Sequence, residues 1–162
     1  MNLFKRSSIK KYFKKEDLER LKNAIGDVEK MTSAEMRVKI IHKMDKDIKN
    51  VYDQAVHEFV KEKMDLTRDF TGLLILIALE DRKFQILADK GILAKIPQEF
   101  FDGKAMTLSG AFAKGAHVEA LLTIIAFIGV ELATHFPKKP DDKNELPNDV
   151  VVENEPKKEE KK

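Results

Sequence analysis

Four charged side chains stand in the sequence where they could bind an ion. Arg68 and Asp69 precede a run of apolar residues, and Asp89 follows the next apolar run. Because an antiparallel hairpin brings its two ends together, these three residues are expected to be neighbours. Glu35 joins them if the strand that it begins runs parallel to the first strand of the hairpin.

This grouping suits either a cation site or simple ion pairing. Three carboxylates with backbone carbonyls provide the oxygen ligands that Ca²⁺ prefers, and Mg²⁺ is the second option. The sequence therefore predicts a metal site of Glu35, Asp69 and Asp89, with Arg68 binding a phosphate or another anion. The competing interpretation carries equal weight: Arg68 pairs with Glu35 or Asp89 as an ordinary surface ion pair.

A second group of acids follows the strands at the opposite edge of the predicted sheet. Asp45 and Asp47 follow the first strand, and Glu80 and Asp81 follow the central one. Open α/β sheets bind ligands beyond the carboxyl ends of their strands, so these four residues form a second candidate metal cluster. Charged turns are common, and solvated turn acids are the favoured interpretation.

The remaining polar residues indicate neither zinc nor a nucleotide. The histidines lack the paired spacing of a zinc-binding helix, and His57-Glu58 lacks the second histidine that such a helix needs. The sequence does not bring a serine, a histidine and an acid together as a catalytic triad. The glycines are too far apart for a phosphate-binding loop. The phenylalanines mostly follow the core periodicity, so no stacking surface for nucleic acid is predicted.

A β-hairpin within residues 67–91 positions the first cluster. Leu73–Leu79 is an apolar run that is too short for a membrane helix and typical of a strand buried on both faces. Four charged residues, 80–83, end this run as a turn. Phe84–Ala88 then forms the returning strand.

A strand and a helix before the hairpin complete a β-α-β unit. In Ser33–Met44, apolar residues alternate with Arg37 and Lys39, which predicts one buried and one wetter face. Ile48–Met64 has apolar residues at helical spacing. The opposite, polar face of that helix carries Lys49, Asp53, Glu58 and Glu62. A right-handed crossover followed by a hairpin gives a mixed sheet that needs helices on both faces.

Further helices are predicted around this unit. Lys15–Met31 is amphipathic, Pro97 starts a second helical region, and residues 116–136 are apolar nearly all round and should be the most buried. Leu121, Ile125 and Phe127 are expected to fill the core. These elements predict an α/β fold, a three-layer α/β/α sandwich with a mixed sheet of three to four strands.

The chain of 162 residues fits one folded domain with extensions at both ends. We divide it into a basic arm at 1–14, an α/β domain at 15–137, an extended segment at 138–152 packed on the domain, and a disordered charged tail at 153–162. Val150–Val152 is expected to add a short edge strand.

The basic arm predicts weak contact with a membrane surface. Residues 1–15 hold six basic residues and no acid, interleaved with apolar side chains. A solvated, frayed terminus is the favoured alternative. No apolar stretch in the first 30 residues is long enough for a signal peptide, so a cytoplasmic location is expected. We further expect a monomer that binds an unidentified protein and no nucleic acid.

Several short motifs occur in a distinctive order. They are Thr32-Ser33-Ala34-Glu35, Thr67-Arg68, Asp81-Arg82, Asp89-Lys90-Gly91-Ile92, the Phe112 to Gly115 junction, and the stretch from His135-Phe136-Pro137 to Leu146-Pro147. In this order they resemble the TPM domain family, named after a thylakoid-lumen acid phosphatase, a photosystem II repair protein and a levamisole-receptor modulator. The resemblance covers residues 15–148, and the final stretch is similar to a soluble bacterial branch.

The resemblance implies an α/β/α sandwich, phosphatase activity in some members and calcium binding in others. The sequence departs from the family pattern at Phe70, Thr71, Ala88 and Ala116. The missing polar residues and the retained acids favour a Ca²⁺-binding, non-catalytic interaction or stress-related module. The alternative is a weak metal-assisted acid phosphatase that hydrolyses phosphomonoesters.

Overall fold

The computed structural model describes residues 9–142 and 148–153. The helices are α1 (Lys15–Glu29), α2 (Val51–Lys61), α3 (Lys90–Leu93), α4 (Gln98–Ala113) and α5 (His117–His135), with a 3₁₀ turn at Met64–Leu66. The strands are β1 (Glu35–Ile41), β2 (Gly72–Ala78), β3 (Lys83–Ala88) and β4 (Val151–Glu153). The start of the basic arm, part of the 138–152 segment and most of the charged tail lie outside the described residues.

The sheet is mixed, as the β-α-β unit and the hairpin predict. Its strand order is β3-β2-β1-β4, in which β1 runs parallel to β2 and β4, and β3 runs antiparallel to β2. Every residue of β2 is buried, because strands pair with it on both sides and helices cover both faces. The short edge strand expected near the C-terminus is β4.

Helices lie on both faces of the sheet, which confirms the α/β/α sandwich. Alternate residues of a strand point to opposite faces. On one face, Val38 and Ile75 belong to a core shared with α1, α4 and α5. On the other face, Leu74 and Leu76 pack with Phe59 of α2.

The alternating charges of β1 are buried. All seven residues of Glu35–Ile41 are buried, including Arg37 and Lys39. The prediction of a wetter face is therefore wrong, because α2 and β4 close that face from solvent. Buried charges need partners, and acids of α2 and β4 supply them. The alternation marks an ionic layer inside the domain.

Helix α2 turns its more polar side toward the sheet. Its buried residues are Gln54, Ala55, Glu58 and Phe59. Its exposed apolar residues are Tyr52, Val56 and Val60. The predicted apolar stripe has seven members between Ile48 and Val60, and it is wrong for these three. The cations of β1 need carboxylates close by, and this requirement sets the rotation of the helix.

Helix α5 is buried along one side only. Its inward residues, such as Leu121 and Ile125, pack in the core, whereas Phe127 is 56% exposed and Val130 is 61% exposed. The prediction that Phe127 fills the core is wrong. Phe127 lies two positions after the buried Ile125, and residues two positions apart lie on nearly opposite sides of a helix. By length and composition alone, α5 could cross a membrane.

The end of the predicted basic arm packs against the domain. Ile9 and Phe13 are buried in the core. The Tyr12 hydroxyl accepts a hydrogen bond of 2.7 Å from Arg82 at the hairpin turn. Membrane contact through residues 1–15 stays a prediction, and within the described residues the two most buried apolar side chains of this segment face the core.

Candidate functional site

The four residues of the first predicted cluster lie at the amino edge of the parallel strands. Glu35 begins β1 and is paired with Gly72, which begins β2. Asp89 follows β3, and its N–H donates to the Gly72 carbonyl at 2.9 Å. Since neighbouring strands are about 4.8 Å apart, Glu35 and Asp89 stand in one row, with Cα atoms about 10 Å apart. Arg68 and Asp69 lie on the loop that leads into β2.

Two glycines allow backbone oxygens to approach this row. A Cβ atom on Gly72 would lie 2.6 Å from the Met64 carbonyl oxygen, so this oxygen stands over the middle of the row. A Cβ atom on Gly91 would overlap the Asp69 carbonyl oxygen. A larger residue at either position would have to push the loop away. The amino edge therefore gathers carbonyl oxygens, a ligand type that Ca²⁺ uses, beside the acids.

Glu29, which the sequence prediction missed, is the direct partner of Glu35. The two residues are 6% and 3% exposed. Glu29 Oε2 accepts the backbone N–H of Met36 at 3.2 Å, and its carboxyl group hydrogen-bonds to that of Glu35. Two carboxyl groups can share such a bond only when one of them holds a proton.

The environment of Glu29 favours its neutral form. Burial, followed by the hydrogen bond to Glu35 and the charge of Glu35, raises the pKa of Glu29 to about 9. The Met36 amide and the Lys138 ammonium act in the opposite direction without outweighing these effects. At neutral pH the buried pair therefore retains a proton in the folded protein.

The periodicity of α1 contains the signal that identifies Glu29. Leu21, Ile25 and Val28 form its buried stripe. Glu29 lies four residues after Ile25 and so shares that side of the helix. A carboxyl group on a buried stripe needs a proton or a cation, which makes it a candidate ligand.

Arg68 joins two loops at the same edge. Its guanidinium lies 2.9 Å from the carboxylate of Asp142 and 3.6 Å from that of Asp69. The Asp142 side chain is only 6% exposed, and it also accepts the N–H of Lys139 at 2.6 Å. The loop before β2 and the segment after α5 are thus held together by a cation between two carboxylates.

Asp89 caps the short helix α3. One of its oxygens accepts the N–H of Lys90 at 2.8 Å, and the other, Oδ2, is buried without a hydrogen-bond partner among the described residues. In the described part of the chain, Glu35, Asp69 and Asp89 are not a group whose ligand oxygens all lie within 4.8 Å of one another. Their joint coordination of one ion stays a prediction.

At the carboxyl edge, Asp45 meets two residues of α2 that the sequence prediction left out. The ligand atoms of Asp45, His57 and Glu58 all lie within 4.8 Å of one another. Gln54, which is fully buried, accepts the N–H of Asp45 at 2.9 Å and donates to Glu58 Oε2 at 2.9 Å. His57 and Glu58 are adjacent in sequence, but only the fold brings Asp45 to them.

The other residues of the second predicted cluster have separate roles. Asp81 Oδ2 accepts a backbone N–H of the loop between β1 and α2 at 2.7 Å. Glu80 lies 2.9 Å from His42, and Asp47 is exposed. Asp45, Asp47, Glu80 and Asp81 therefore do not form one ligand group in the described structure.

An ionic layer lies between the two edges, beneath α2. The Lys39 ammonium is 2.7 Å from Glu58, 2.8 Å from Glu62 and 3.2 Å from Glu153. Burial lowers the pKa of Lys39, but hydrogen bonds to Glu58 and Glu62 outweigh it and raise the pKa above its ordinary value. Arg37 pairs with Glu62 at 2.8 Å. The layer joins β1, α2 and β4. Its centre, Lys39 and Glu58, is almost fully buried, whereas the Glu153 side chain is 39% exposed.

Similar structures support the fold described above. The BA42 protein from the psychrophilic bacterium Bizionia argentinensis, solved by NMR, is 36% identical, with a TM-score of 0.78 over 90% of this chain and 99% of that chain. The N-terminal domain of a protein from P. gingivalis is 12% identical, with a TM-score of 0.59 over 77% of this chain and 79% of that chain. At that identity it shows the fold alone.

The sequence also matches a family profile. The profile of the TPM domain covers residues 9–129, which include α1, the β-α-β unit, the hairpin and most of α5. No match was found among curated proteins. The profile match spans most of the sequence, and the relative from Bizionia argentinensis covers nearly all of it. The chain belongs to the TPM domain family.

Proposed function

We propose that this TPM domain is a Ca²⁺-binding, non-catalytic interaction module whose metal site lies at the amino edge of the sheet. The observation that carries the proposal is the buried Glu29–Glu35 pair, in which the pKa of Glu29 is raised to about 9. Two buried carboxyl groups in contact are stabilised by a proton between them or by a cation. A divalent ion would replace the proton and leave both carboxylates charged.

The donor set at this edge has the chemistry of a hard-cation site. Ca²⁺ binds six to eight oxygen atoms of carboxylates, carbonyls and water with flexible geometry. Glu29 and Glu35 would form the centre of the site. Asp69, Asp89 and Asp142 supply further carboxylates at the same edge. Mg²⁺ demands a tighter octahedron and is the weaker fit to acids that are spread along a row.

The geometry supports binding more strongly than phosphate hydrolysis. The Arg68 guanidinium, which would have to hold a substrate phosphate, is engaged by Asp142 and Asp69. The same contacts suggest what the ion would do. A cation at this edge would neutralise the acids that link the loop before β2 to the segment after α5. Binding would then change the order of both loops and hence the surface offered to a protein partner.

Calcium titration by isothermal calorimetry tests the site. We expect one saturable Ca²⁺ site with a dissociation constant between about 10⁻⁶ and 10⁻³ M, the range of sensors and extracellular modules. Glu35→Gln should weaken binding at least about tenfold, as the loss of a ligand does. The matched control is Asp45→Asn, which removes the same charge at the opposite edge and should leave Ca²⁺ affinity unchanged.

Two results of this titration would exclude the proposal. One is the absence of saturable heat with the folded wild-type protein. The other is an equal loss of affinity in Glu35→Gln and Asp45→Asn, which would indicate general attraction to the acidic surface. Thermal melts of both variants should show that each is folded at the temperature of the titration.

A further inference from the structure

We propose that the carboxyl edge of the parallel strands holds a second, chemically different site, which binds a divalent transition-metal ion through Asp45, His57 and Glu58. The distance from Asp45 Oδ2 to His57 Nε2 is 3.9 Å, and all three ligand atoms lie within 4.8 Å of one another. The site lies where β1 ends and α2 passes over it, so a loop and a helix contribute together.

Gln54 positions the two carboxylates of this site. Its side-chain oxygen accepts the N–H of Asp45 at 2.9 Å, and its amide nitrogen donates to Glu58 Oε2 at 2.9 Å and reaches Asp45 Oδ2 at 3.5 Å. Gln54 is fully buried, so this arrangement is not an accident of mobile surface side chains. Outer hydrogen bonds of this kind orient the ligands of metal sites.

Lys39 fixes the third ligand. Its ammonium lies 2.7 Å from Glu58 Oε1, and the Glu58 side chain is 4% exposed. The other oxygen, Oε2, is on the side of Gln54. Glu58 therefore presents one oxygen to the site while the other neutralises a buried cation. Lys39 also contacts Glu62 and Glu153, so Glu58 shares the neutralisation of this cation with two other carboxylates.

The ligand chemistry selects the class of ion. One imidazole nitrogen with two carboxylates suits Zn²⁺ and its neighbours in the first transition row, whereas Ca²⁺ prefers oxygen ligands only. A tetrahedral zinc ion with bonds of about 2.0–2.1 Å needs ligand atoms about 3.3 Å apart. The side chains of His57 and Asp45 are 54% and 55% exposed, so they are free to close the remaining distance. Three protein ligands leave a fourth position open to water or another ligand.

Zinc titration of the full chain, without a histidine tag, tests this proposal. We expect one Zn²⁺ ion per chain, with a shift of the His57 ring signals in the NMR spectrum. His57→Ala and Asp45→Asn should each weaken binding at least about tenfold. Glu58 is left intact because its loss would unbalance Lys39. Both variants change exposed side chains and should fold normally.

Two controls make the result specific. His135→Ala removes the histidine of another exposed histidine–carboxylate pair, 3.5 Å from Glu131 on α5, and should leave zinc affinity unchanged. Asp53→Asn should also leave it unchanged, because this exposed acid of α2 lies outside the group of ligand atoms. The proposal is overturned if wild-type protein shows no saturable binding, if His57→Ala binds like wild type, or if His135→Ala loses as much affinity as His57→Ala.

Discussion

Replacing Lys39 by methionine is expected to lower the free energy of unfolding by about 3–5 kcal/mol, the cost of breaking a buried charge network by removing one partner. The substitution preserves most of the side-chain volume and removes the ammonium group. Glu58, Glu62 and Glu153 would then face one another across a space that Lys39 now fills. An uncompensated carboxylate as deeply buried as that of Glu58, whose side chain is 4% exposed, costs far more than the loss of the ion pairs themselves.

Urea unfolding of wild type and Lys39→Met measures this effect. The matched control is Lys61→Met, because Lys61 also pairs with Glu153 but its side chain is 48% exposed. An exposed pair contributes about 0–1 kcal/mol, so the control should lose no more than that. A loss below about 1 kcal/mol in Lys39→Met would mean that water solvates the Glu58 carboxylate, which contradicts its burial at 4% exposure.

Raising the pH is expected to destabilise the metal-free protein through Glu29. The pKa of this group is raised to about 9 in the folded state, whereas an unfolded glutamate titrates near its ordinary value of about 4.3. Between these values the folded state binds more protons than the unfolded state. Stability contributed by this group is therefore greatest at low pH and is lost as the pH rises toward 9.

The size of the effect follows from the linkage relation. One proton changes the free energy of unfolding by about 1.4 kcal/mol per pH unit, which gives about 4 kcal/mol across three units inside this window. Glu29→Gln mimics the protonated form and should remove this slope. Urea unfolding of wild type and Glu29→Gln in the presence of a chelator, from pH 5.5 to pH 8.5, measures how the free energy of unfolding of each protein changes with pH. Parallel pH profiles of wild type and Glu29→Gln would contradict the assignment.

The hairpin and the fold class were predictable because their signals are local. The apolar run of β2 is long enough for a strand and too short for a membrane span, and the charges after it indicate a turn. Once these elements are known, the right-handedness of crossovers between parallel strands leaves few possible arrangements of the sheet. The same rules place Glu35, Arg68, Asp69 and Asp89 at one edge, where the structure has them.

The orientation of α2 was not predictable from its own residues. Its valines and tyrosine follow a convincing apolar stripe, yet Tyr52, Val56 and Val60 are exposed. What turns the helix is a pair of cations on β1, Arg37 and Lys39, that need carboxylates inside the domain. The rotation of α2 is therefore set by tertiary ion pairs, which override the apolar periodicity of the helix itself.

The two candidate metal sites differ in how visible they are in the sequence. Glu29 could have been identified, because it lies on the buried stripe of α1 four residues after Ile25. Asp45 meets His57 and Glu58 only because the loop after β1 folds back over α2. No spacing rule describes that contact, since the ligands come from separate elements and the histidine stands alone in its helix.

The most direct test of the amino-edge site is the number of protons released when Ca²⁺ binds. Because Glu29, with a pKa of about 9, holds a proton at pH 7.5, displacing it should release about one proton per Ca²⁺. Calorimetric titration at this pH, in two buffers with different ionisation enthalpies, counts these protons. We predict about one proton for wild type and none for Glu29→Gln. Saturable Ca²⁺ binding by wild type without proton release would contradict the Glu29–Glu35 pair as the binding site.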